Sequence, residues 1–123
     1  MASAKITLHC DEPVRDILCA AIREYAVVAY PPGGSECAQV ARYTLLELAD
    51  QIDAGIGPES GSVEISKRPR VMVKAAIQYY FDRDDAETGT GSVHRRQLFL
   101  QLLRSTPATV VDLEKAAADD TAA

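Results

Sequence analysis

Apolar and polar positions divide the chain into a short alternating segment and several stretches with helical spacing. Lys5-Ile-Thr-Leu-His-Cys10 alternates Ile6, Leu8 and Cys10 with Lys5, Thr7 and His9, the period of two of a half-buried strand. From Pro13 to about Ala29, Val14, Ile17, Leu18, Ala21, Ile22, Tyr25 and Val28 fall on one stripe and predict an amphipathic helix. Asp11 and Glu12 offer a cap and a dipole-favouring carboxylate at its start, and Pro13 suits the first turn. Pro31-Pro-Gly-Gly34 ends it. Ser35 then caps a second helix with a buried stripe of Cys37, Ala41, Leu45, Leu48 and Ile52. Gly55 is expected in the left-handed C′ position, with Ile56 as the accompanying apolar contact and Pro58 beyond.

Residues 66–82 carry the most informative pattern. Lys67, Arg70, Lys74, Gln78 and Asp82 share one narrow stripe, while Val71, Met72, Val73, Ala75, Ala76, Ile77, Tyr79 and Tyr80 cover the remaining arc. A helix apolar over most of its circumference needs neighbours on several sides. This segment is therefore expected to be the hub, closing near Asp82 and surrounded by the first, second and fourth helices. Val63-Glu64-Ile65 alternates like a strand able to pair with residues 5–10. Arg83 to Gly91 reads as a polar, mobile loop, and Ser92 as the cap of a fourth helix, Val93 to Arg104. There Leu98, Phe99, Leu100, Leu102 and Leu103 span about half the circumference. Thr106-Pro107 offers a further cap pair, and Thr109 with Asp112 has capping-box spacing for a short fifth helix through Ala118. The fold class is mainly α: a compact bundle of four main helices plus a short C-terminal helix, with a minor N-terminal strand pair. Residues 1–118 form a single domain, and residues 119–123 a frayed tail.

Composition agrees with a globular chain. Of 123 residues, 47% are apolar and 25% charged, enough to bury a core without staples. No apolar run approaches a membrane span, and the first residues lack a segment of signal-peptide length, so the expected location is cytoplasmic. Cys10, Cys19 and Cys37 match no zinc spacing and read as free thiols, with Cys19 and Cys37 on apolar helix faces. The excess of Arg over Lys and the abundance of Ala fit a GC-rich bacterial or phage origin. Net charge is −5 but uneven, with residues 61–104 basic and both flanking segments acidic.

Candidate chemistry is sparse. Counted from Asp82, an EF-hand would need an oxygen ligand at Ala86, glycine at Glu87 and glutamate at Val93, so the acidic loop lacks the calcium pattern. Thr88-Gly-Thr-Gly91 lacks both the third glycine of a dinucleotide site and the Gly-Lys-Ser/Thr of a phosphate loop. His9 and Cys10 are neighbours on a strand and point to opposite faces. His94 stands beside Arg95 and Arg96, and no triad is visible. No catalytic residue, cofactor or metal is expected.

Two surfaces remain. Tyr43, Leu46 and Phe81 lie off the apolar stripes and form a candidate partner surface. Lys67, Arg68, Arg70, Lys74, Arg95 and Arg96, with Arg104 nearby, are candidate phosphate contacts. The expected function is a non-catalytic protein-binding module (a small regulator, adaptor or inhibitor) that self-associates as a homo-oligomer such as a homodimer. The alternative is a nucleic-acid-binding protein using the basic edge of residues 67–74. An enzyme built on His9, Cys10 or the glycine loop is the third reading.

Overall fold

The computed structural model describes residues 4–122. Its elements are β1 (Lys5–His9), α1 (Glu12–Ala29), α2 (Glu36–Gly55), β2 (Ser62–Ser66), α3 (Arg70–Thr88), α4 (Val93–Leu102) and α5 (Val110–Ala122). The protein is mainly α, with one small two-stranded sheet. β1 and β2 pair antiparallel, with Ile6 opposite Ile65 and Leu8 opposite Val63. Leu8 and Ile65 point into the helical core, while Lys5 and Glu64 form a 3.5 Å ion pair on the outer face. No helix among the described residues is long and apolar enough to cross a membrane.

Helix starts follow local chemistry. The Asp11 carboxylate accepts the Val14 N–H through Oδ1 and, through Oδ2, the N–H of Val110 at 2.7 Å. One side chain thus serves the first turns of α1 and α5. Ser35 Oγ accepts the Ala38 N–H at the start of α2. Thr109 and Asp112 close the expected capping box, each accepting the other's backbone N–H. Beside it, the Ala108 N–H donates to the His9 carbonyl and ties the α4–α5 connection to the end of β1.

The hub is α1 and not α3. α1 packs on α2, α3 and α5, whereas α3 packs on α1 and α4. α1 suits this position because small Cys19, Ala21 and Ala26 are buried among Leu18 and Ile22, which lets neighbours approach on more than one side. α3 buries Val73, Ala76, Ile77 and Phe81, but Val71 is 76% exposed. Its two neighbours leave the arc of Val71 and Lys74 open.

Several boundaries differ from expectation. α3 continues past Asp82 to Thr88, where Gly89 takes φ 71° and stops it. The residues read as a loop stay helical because Arg83 pairs with Glu24 and Glu87 and because Asp84 and Asp85 bind arginines of α4. α4 ends two residues early, with Ser105 in the left-handed region at φ 62°. α5 runs to Ala122, so the tail expected to fray from Asp119 is helical there; Ala123 lies outside the described residues. Cys37 is exposed, because the buried stripe of α2 begins later and holds Arg42, Leu45, Leu48, Ala49 and Ile52.

Gly55 ends α2, but without a positive φ; the residue after the helix, Ile56, is extended. Glycine is needed there for space. A Cβ at position 55 would collide with Val63 Cγ2 and lie 2.8 Å from Val63 Cβ. Gly55→Ala is therefore expected to lower stability by about 1–3 kcal/mol through overpacking, despite alanine's better helix propensity. Urea melts of Gly55→Ala in the wild-type and Val63→Ala backgrounds check this: the loss should be smaller in the Val63→Ala background, where the Cγ2 contact is gone and only the Cβ contact remains, and a stabilising single variant would refute the clash.

Candidate binding cleft between α3 and α4

The ion pairs that organise the α3–α5 region decide which cations stay open to a ligand. α4 runs back along α3, with Phe99 and Phe81 in contact at 5.5 Å between ring centroids. Arg96 reaches Gln78 at 2.6 Å, Asp82 at 2.7 Å and Asp85 at 3.1 Å. Arg95 donates to Asp84 at 3.0 Å and to Asp120 at 2.8 Å. Both arginines were candidate phosphate contacts, and the structure instead commits them to internal carboxylates.

Ser92 does not cap α4 either; its hydroxyl donates to Asp85. The cap comes from α5. Asp120, its side chain 1% exposed, accepts the backbone N–H of His94 at 2.7 Å and that of Arg95 at 3.2 Å. His94 Nδ1 lies 3.0 Å from the same carboxylate. A buried anion at a helix N-terminus meets both orphan N–H groups and the positive end of the dipole. Burial opposes its ionisation, but the Arg95 side chain and the His94 and Arg95 backbone donors outweigh it and hold the carboxyl down at about 2.

At the other end of the same helix pair the balance reverses. Arg70, Val71 and Lys74 from α3 face Gln97, Leu100, Gln101, Leu103 and Arg104 across a cleft of about 580 Å³. Lys67 and Arg68 stand exposed in the turn leading to it. Among the described residues, none of Lys67, Arg68, Arg70, Lys74 and Arg104 has an ion-pair partner. The cleft thus sets cations beside an exposed Val71 and a half-buried Leu100, with Leu103 behind them in the core. Such a lining is chemically suited to carboxylates beside aliphatic or aromatic groups. The basic residues were legible as a stripe. Val71 and the α4 leucines were missed as cleft lining, although the wide apolar face of α4 was their signal.

The three residues of the expected partner surface separate. Phe81 is buried, 3% exposed, because Phe99 of α4 covers the arc of α3 that looked polar. Leu46 packs against the core. Tyr43 alone is exposed, its ring under the Arg42 guanidinium at 5.1 Å. His9, Cys10 and Asp11 line a separate hollow with Gly57 to Gly61, Pro107 and Thr109, away from the 88–91 loop. Burial, then the Asp11 carboxylate, pushes the Cys10 thiol up to about 12, so it stays protonated near neutral pH. Among the described residues no cluster of His, Cys, Asp and Glu forms a metal site. Comparison with known protein families, with characterised proteins and with solved structures finds no match.

Asp120→Ala should cost about 2–4 kcal/mol, because it strands part of the Arg95 charge and two backbone N–H groups. The pH dependence follows from the sign of the shift. The carboxyl falls from an ordinary 3.8 to about 2, so its stabilisation is complete above the higher value and lost as pH falls through the lower. Denaturant midpoints between pH 6 and pH 2 check this: the gap between the wild type and Asp120→Ala should narrow only below about pH 4.

Proposed function

We propose that the protein is a non-catalytic protein-binding module that seats a partner segment in the α3–α4 cleft and acts as a small regulator, adaptor or inhibitor. The observation behind this reading is the lining itself: Arg70, Lys74 and Arg104, without internal partners among the described residues, beside Val71, Leu100 and Leu103. An acidic amphipathic segment supplies both halves of what this lining lacks. Carboxylates neutralise the cations, and apolar side chains cover Val71. Phosphate binding uses the cations alone. No aromatic side chain lines the cleft to stack a base, Arg95 and Arg96 are engaged elsewhere, and the chain as a whole is acidic at −5. These features favour a protein partner over a nucleic acid.

Chemical-shift mapping distinguishes the two readings. A synthetic helical peptide with Glu and Leu at i, i+3 and i+4 spacing should shift the amides of Val71, Leu100 and Leu103. Lys74→Ala combined with Arg104→Ala should weaken the peptide about tenfold, the sum of two exposed charges each contributing about 0.7 kcal/mol. DNA duplexes and single-stranded RNA at low salt should leave these amides in place. Shifts at Lys67, Arg68 and Arg70 with oligonucleotides, and none with the peptide, would replace the protein-binding reading with the nucleic-acid one.

A further inference from the structure

The segment that fits the cleft is present in the chain itself. On α2, Glu36, Val40, Tyr43 and Glu47 follow one another at spacings of four, three and four, so they form one stripe along the helix. All four are exposed, Val40 by 61% and Tyr43 by 60%. They stand opposite the buried stripe that faces α1. Neither glutamate has an ion-pair partner among the described residues. The Tyr43 ring lies against the Arg42 guanidinium, which limits the rotamer freedom it would lose on docking. The stripe is therefore an apolar pair with a carboxylate one turn to either side. The cleft is its chemical complement: Val71 and Leu100 beside three cations.

We infer that the occupant of the α3–α4 cleft is the α2 stripe of a second copy of this chain, an inference that rests on the docking role proposed above. Val40 and Tyr43 cover Val71 and the open part of Leu100, while Glu36 and Glu47 meet the cations of the cleft. The two halves of this contact lie on different elements of each molecule. The interface is heterologous: a copy that offers its stripe still has an empty cleft, and association continues head to tail unless the rotation closes a ring. Intramolecular docking is ruled out, because α2 is fixed against α1 and β2 with Leu45, Leu48 and Ile52 buried.

Sedimentation velocity on the full chain tests this with two charge reversals. Wild type should show a mass that rises with concentration and falls with added salt. Lys74→Glu/Arg104→Glu and Glu36→Lys/Glu47→Lys should each stay at the mass of one chain, because each sets like charges against like. An equimolar mixture of the two should associate again, since it contains one native cleft and one native stripe. The chain with all four reversals should associate as well. Circular dichroism melts of each variant exclude unfolding as the cause of lost assembly. A wild type that remains one chain at high micromolar concentration overturns the inference, as does assembly undiminished in both reversed variants. If self-assembly is absent but the synthetic Glu/Leu peptide still shifts Val71 and Leu103, only the second copy is refuted. If neither occurs, the docking role falls too.

Discussion

The Asp120–Arg95 contact ties together the three C-terminal helices. α5 is short and buries little apolar surface of its own, with Ala116 its one buried aliphatic residue and Leu113 partly covered. What fixes its far end is a carboxylate set into the first turn of α4, where two backbone donors and a guanidinium converge on it. The same guanidinium reaches back to Asp84, so α3, α4 and α5 share one electrostatic joint. Because the carboxylate is withdrawn from water, the joint is strong only while every partner is present.

That joint also explains the uneven distribution of charge over the α3–α4 pair. The acidic turns of α3 and the adjacent arginines of α4 neutralise one another at one end. At the opposite end, the first turns of α3 and the close of α4 present cations with no such counterparts among the described residues. A chain of net charge −5 therefore carries a locally positive cleft. Many of its acids are spent at the joint or lie on α1 and α2, where Asp50 and Asp53 hold Arg23 while Glu36 and Glu47 face outward. Electrostatic fields of this polarity orient encounters between molecules before any apolar surface touches.

Legibility from sequence followed the range of each interaction. The Asp11 cap on α1, Ser35 and the Thr109–Asp112 box act within one turn, and the helices they start lie where their spacing placed them. The strand pair was also readable, since alternation needs only neighbours. Residues 83–88 misled because an acid run resembles a solvated loop until its counter-charges, which lie on another helix, are known. Three acids at 82–85 and two adjacent arginines at 95–96 were the available hint. Asp120 had no local signal at all: a cap supplied by a different helix is a tertiary fact. Phe81 looked exposed for the same reason, because the wheel of α3 alone cannot reveal which arc Phe99 will cover. The basic edge of the cleft was visible as a stripe, but its apolar lining required knowing that α4 ends beside the start of α3.

Asp11 has a consequence for how the chain reaches this state. Its two oxygens serve helices that begin 98 residues apart in sequence, at Glu12 and Val110. The α1 half of that duty is local and available as soon as the first turn winds. The α5 half waits until nearly the whole polypeptide has come round to the end of β1, a closure whose entropic cost is met only when the intervening core is in place. Of the two caps, the one on α5 is therefore the more costly to close. In a protein made on the ribosome, α5 also emerges after the other elements described, so synthesis order and the order of closure cost coincide.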